Sequence, residues 1–190
     1  MPSSEGAGAK LLAHAIARDH RPRRARELVD VVARSGRHFA EYQLLRAELT
    51  EILKDEDLAF RPGVRSPTLG ELCREIGEIE RSYIEAFRTF RQDFAWRNPD
   101  VRVERDVLVL AAWYADLDVD LLSALDALAE DDIANRRVTR NDFDIDDFQP
   151  LPAQELDVYR EALLIFYGKV SVYLRMIGID LPGHWQAWIG

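Results

Sequence analysis

At 190 residues, with 34 acidic against 25 basic side chains, the chain carries a formal net charge of -9, a field that opposes adhesion to nucleic acid or to an anionic membrane. A single cysteine, Cys73, excludes an internal disulfide and favours a reducing compartment. With no apolar run near the roughly 18 residues of a membrane span and no secretory signal, a soluble, cytoplasmic protein of one domain with a sizeable core is expected.

Residues 1–26 read as an N-terminal extension ahead of a domain over 27–190. Within the extension, residues 10–20 predict a short helix with Leu12, Ala13 and Ile16 on one side, stopped before Pro22. Arg18, Arg21, Arg23, Arg24 and Arg26 make a basic segment; it suits phosphate binding or pairing with the acid-rich stretch 116–147.

From 27 to 53, Leu28, Val32, Ser35, Phe39, Tyr42, Leu45, Leu49 and Ile52 recur in threes and fours, which predicts the first core helix, with Gly36 as a point of bending. Residues 55–67 read as a loop broken by Pro62, Gly63 and Pro67. Thr68 and Glu71 then form a T-x-x-E capping box, and Leu69, Leu72, Ile76, Ile79, Tyr83, Ala86 and Phe90 predict a second helix to about Phe94. Asn98-Pro99-Asp100 is turn chemistry.

A third helix is predicted from about Glu104 to Ala129, burying Val107, Leu110, Tyr114, Leu117, Leu121, Ala124 and Leu128, with Asp116, Asp118, Asp120 and Asp126 off that stripe. Between residues 136 and 150, Val138, Phe143, Ile145 and Phe148 alternate with polar residues, which predicts an extended segment or short hairpin. The last core helix, 155–177, carries Leu156, Tyr159, Leu163, Phe166, Val170, Tyr173 and Ile177, with Gly178 as its stop. Trp185 and Trp188 predict that the following residues pack back. Four long amphipathic helices specify an all-α, antiparallel four-helix bundle.

Chemical motifs are sparse. Asp142-x-Asp144-x-Asp146 begins like a calcium loop, but Asp147 stands where the motif needs glycine and Ala153 where it needs glutamate, so a solvated acidic face is expected. His14, His20, His38 and His184 show no i, i+4 pairing and no cysteine partner. Nucleophile-elbow, P-loop and dinucleotide-binding signatures are missing. Cys73 reads as a core or boundary residue. Glu71, Glu75 and Glu78 lie on adjacent turns, and Glu75, between Leu72 and Ile79, borders the buried stripe; Arg74, Tyr167, Lys169 or His38 are candidate partners.

Residues 67–80 (Pro-Thr-Leu-Gly-Glu-Leu-Cys-Arg-Glu-Ile-Gly-Glu-Ile-Glu) resemble the start of the second helix in the DinB/YfiT-like superfamily, and residues 167–178 (Tyr-Gly-Lys-Val-Ser-Val-Tyr-Leu-Arg-Met-Ile-Gly) resemble its last core helix. The likeness covers about 27–178 and implies a DinB-like bundle. Members with the full pattern hold a divalent metal, often nickel or zinc, through one histidine of the second helix and an H-x-x-x-H pair of the last. Some are thiol-dependent transferases or metal-dependent hydrolases, and the resemblance implies a stress-related role.

Carried onto this chain, the ligand positions fall at Glu75, Ala162 and Phe166, with Phe166-Tyr167-Gly168-Lys169 matching the family's H-R-G-Q. Alanine and phenylalanine cannot ligate a metal, so no metal cofactor is expected; nickel or zinc held by other residues is the alternative. The expected cleft comprises Glu75, Trp113, Ala162, Phe166, Tyr167 and Lys169. The resulting expectation is a metal-free ligand-binding or structural protein, a homodimer through an apolar helix face, with a small-molecule ligand as further partner and neither nucleic acid nor membrane. The alternative is a divergent enzyme of thiol-transferase or hydrolase type, in which Glu75 works with Tyr167, Lys169 or Trp113.

Overall fold

Capping chemistry and apolar spacing place the helices much as expected. The computed structural model describes residues 27–28, 39–141 and 149–189. The expected N-terminal helix, Gly36, His38, the arginine segment 21–26 and the Asp142–Asp146 stretch lie outside those residues. Helix α1 is described over 39–52 and buries Phe39, Tyr42, Leu45 and Leu49. The stretch read as a loop contains one further helical turn, α2 (Asp55–Leu58). There the Lys54 amide donates to the Asp57 carboxylate at 2.8 Å, and Asp55 accepts from the Val107 amide at 2.9 Å.

Helix α3 (Leu69–Thr89) opens on the predicted box. The Glu71 amide donates to the Thr68 hydroxyl at 3.0 Å, and the Thr68 amide to the Glu71 carboxylate at 2.6 Å. It stops five residues before the expected Phe94. Phe90 takes a left-handed conformation, φ 60°, and its carbonyl accepts from the Thr139 amide at 3.0 Å. Strand β1 (Arg91–Gln92) then runs parallel to β2 (Thr139–Arg140), with Arg91 opposite Thr139 and Gln92 opposite Arg140. Tertiary pairing thus overrides a helical pattern that the sequence would continue.

A 3-10 turn (Val101–Glu104) follows the Asn98-Pro99-Asp100 corner. Helix α4 (Val107–Asp126) starts from Asp106, whose carboxylate accepts from the amides of Leu108 and Val109. Helix α5 (Glu130–Asn135), which the sequence reading missed, precedes β2. The predicted extended segment is present at Thr139–Arg140, paired with β1, and the Val138 amide donates to the Pro150 carbonyl at 2.9 Å; its remainder, 142–148, is not among the described residues. Helix α6 (Pro152–Ile177) begins with proline in its first turn and ends at Gly178, φ 86°. Helix α7 (Gly183–Ile189) packs back as expected: Trp185 is fully buried and its indole N–H donates to the Leu45 carbonyl at 3.0 Å.

Residues of α1, α3, α4 and α6 share one apolar core. Helix α3 lies against both α4 and α6. Close approach is set by Gly70, whose Cα faces the Glu104 carbonyl, and by Gly77, which lies against the Trp113 indole. Buried tyrosines spend their hydroxyls on backbone carbonyls: Tyr114 on Cys73 at 2.7 Å, Tyr167 on Tyr42 at 2.5 Å and Tyr173 on Pro67 at 3.0 Å. Among the described residues no helix is long and apolar enough to cross a membrane.

Candidate functional site

The six residues expected to form one cleft do not converge. Glu75 is exposed on α3, and Lys169 is exposed on α6. Phe166 and Tyr167 are core residues, Ala162 is half-buried beside them, and Trp113 covers Gly77. Phe166 and Tyr167 meet edge to face at 5.2 Å, and Tyr167 meets Trp185 at 5.0 Å. A cleft needs side chains that stop short of one another; here the rings close the space with hydrocarbon.

Glu75 instead overlooks a surface groove of about 500 Å³ whose floor includes Ile79 and Phe94. Arg74 organises its wall. The guanidinium donates to Glu78 at 2.7 Å, to Glu104 at 2.5 Å and to the Asn98 carbonyl at 2.7 Å. Glu78 also accepts from the Asn98 amide at 2.9 Å and lies 3.5 Å from Arg97. These carboxylates are committed to fixed donors, and Glu75 has no hydrogen-bond or ion-pair partner among the described residues.

The interior holds a polar centre that the sequence reading missed. Arg46 of α1 donates through one terminal nitrogen to Glu80 of α3 and through the other to Asp118 of α4, while its guanidinium lies 4.6 Å from the Tyr114 ring centroid. Arg46 and Glu80 are buried and Asp118 is half-buried. Burial pulls the arginine down, but Glu80, Tyr159 and Asp118 together raise it well above its usual value, so it stays charged. Burial pushes the Asp118 carboxyl up to about 6, against the lowering influence of Arg46 and with Glu80 adding to the rise. Burial raises Tyr114 and Tyr159 as well. Among the described residues, Arg46 Nε and Glu80 Oε1 find no hydrogen-bond partner.

The signal for this centre was in the spacing. Arg46 falls four after Tyr42 and three before Leu49; Glu80 stands likewise between Ile76 and Tyr83, and Asp118 between Tyr114 and Leu121. Asp118, read as off the stripe, is therefore on it and faces Arg46. Three charged residues at inward positions of three helices, with opposite signs, could have been matched as a set.

A second buried pair holds β2 to α6. Arg140 is bidentate to Glu155, at 3.1 and 2.7 Å. Burial raises the Glu155 carboxyl, and burial, with Glu155 beside it, pushes the Tyr83 phenol up to about 12. Cys73 is buried and its thiol is pushed up to about 12 by burial, as the core reading expects. His184 meets Glu48 at the surface. Among the described residues, no three histidine, cysteine, aspartate or glutamate side chains are grouped so as to hold a metal ion.

Fold and interior together define an all-α protein in whose interior charged residues of three helices, α1, α3 and α4, meet. No protein-family model matches the chain, and no curated protein shows significant similarity to it.

Proposed function

We propose that the chain is a DinB-like antiparallel four-helix bundle that acts in the cytoplasm without metal, as a ligand-binding or structural protein. The observation that carries this reading is the guanidinium of Arg46 between the carboxylates of Glu80 and Asp118. A cation belonging to the chain itself neutralises the interior acids, and the positions matching the family's ligands on α6, Ala162 and Phe166, offer no lone pair. The test is metal content by mass spectrometry on untagged protein, with melting temperatures in nickel, zinc, manganese and chelator. Trace metal and unchanged melting are expected. One metal per chain, with a rise in melting temperature that disappears in Glu75→Ala, would overturn the reading.

The groove supports a second reading, an enzyme of thiol-transferase or hydrolase type centred on Glu75. The observation in its favour is a carboxylate left without a partner at the lip of a volume large enough for a small molecule. Glu75→Gln in a panel of thiol-transfer and hydrolytic assays tests it; an unchanged activity profile and unchanged ligand binding in a folded variant would remove its basis.

A further inference from the structure

Helix α4 is apolar on both sides. Its inner face is Val107, Leu110, Tyr114, Leu117 and Leu121. Its outer face is Leu108, Ala112, Ala115, Val119 and Leu122, stepping four, three, four, three, and all five are exposed. Leu108 is 82% exposed and Val119 69%. The outer stripe runs roughly 21 Å without a charge on it. Asp116, Asp118 and Asp120 lie at the borders between the two faces, and an exposed apolar stripe of this length is a surface that a partner covers.

From Leu108 to Val119 the order of sizes is large, small, small, large, with Leu122 lying beyond this set of four. This is palindromic about the midpoint between Ala112 and Ala115, the property an isologous two-fold contact requires, in which residue i meets j and j meets i. Antiparallel pairing across that point sets Leu108 on the partner's Val119, and Ala112 on the partner's Ala115, where two small residues let the backbones approach closely. The charges at the ends agree. Arg105, just before the helix, and Asp126, in its last turn, are both exposed and make no ion pair among the described residues. Antiparallel pairing about that point sets each Arg105 against the partner's Leu122, with the partner's Asp126 one turn further along, about 6 Å away and within the span of an arginine side chain; parallel pairing would set arginine against arginine. On α6 the exposed Leu164, Ile165, Val172 and Met176 share their side of the helix with the exposed charges of Glu161, Lys169 and Arg175.

We propose that a second copy of this chain covers the outer face of α4, antiparallel, with the two-fold axis between Ala112 and Ala115. The pairing gives the expected homodimer a helix and a register, and it does not depend on what the interior or the groove binds. Sedimentation equilibrium on the full chain should return twice the 21.8 kDa monomer mass at high concentration. Leu108→Glu/Val119→Glu should sediment as a folded monomer by circular dichroism, and Ile165→Glu/Val172→Glu should remain dimeric. A monomeric wild type, or a dimer broken by the α6 changes and not by the α4 changes, overturns the proposal. Register is read from oxidation: Leu108→Cys should cross-link to Val119→Cys and not to itself, with buried Cys73 silent. A Leu108→Cys self cross-link, or none between the two variants, refutes the antiparallel arrangement.

Discussion

Replacing Arg46 by methionine removes the cation of the interior and leaves its carboxylates. Glu80 is fully buried, and an uncompensated carboxylate at such a site costs about 3–5 kcal/mol. The guanidinium over Tyr114 contributes about 1–2 kcal/mol more in a desolvated setting, part of which methionine returns through packing. The expected loss is about 4 kcal/mol, a large fraction of the ~5–15 kcal/mol that stabilises a domain. In urea, with a slope of about 2 kcal/mol per molar, the midpoint should fall by about 2 M. Arg46→Met with Glu80→Leu should recover most of this, because an apolar pair of similar volume leaves one fewer buried charge. Helical circular dichroism against urea at pH 7 measures all three proteins. A single-variant loss below about 1 kcal/mol, or a double variant no more stable than the single, would refute the reasoning.

The Asp118 carboxyl titrates near 6 in the folded chain, above its ordinary range, chiefly through burial. Between about pH 4 and 6 the folded state therefore holds more protons than the unfolded state, and this residue's contribution to stability falls as pH rises through that window. Asp118→Asn removes that dependence, so the stability difference between wild type and variant should move by on the order of 2 kcal/mol from pH 4 to 7, favouring wild type at the acid end; a flat difference would contradict it. A Cβ at Gly70 would lie 2.1 Å from the Glu104 carbonyl oxygen, and one at Gly77 2.5 Å from the Trp113 ring, so Gly70→Ala should be the more damaging, and Trp113→Leu should rescue Gly77→Ala alone, as read by thermal melts. Tyr167→Phe removes the hydroxyl that donates to the Tyr42 carbonyl in addition to the helical amide, and should cost about 1 kcal/mol in urea unfolding. Cys73 should resist thiol reagents in native buffer and react once urea unfolds the chain; reaction at native rates would contradict its burial.

The long helices were legible because their core positions repeat every three or four residues and because Thr68 and Gly178 carry chemistry specific to helix ends. The end of α3 was not, since Phe90 leaves the helix to pair with residues about fifty positions later, a contact no local window contains. The site failed for a related reason. Spacing alone placed Glu75 at the edge of the core, but one step of 100° around the helix separates a lining position from a solvent one, and Glu75 falls on the solvent side. Two of the interior acids, Glu80 and Asp118, become recognisable only when Arg46 is brought to them from another helix.

The indole of Trp185 reaches Leu45 across 140 residues of sequence. At a synthesis rate of about 5–20 residues per second, that interval takes roughly 7–28 s on the ribosome. Throughout it, the apolar side of α1 waits without the ring that will seal it, as does Tyr42 for the Tyr167 hydroxyl, 125 residues on. Nascent chains of this protein thus spend seconds with a hydrophobic helix uncovered, the condition under which a holding chaperone has most to bind.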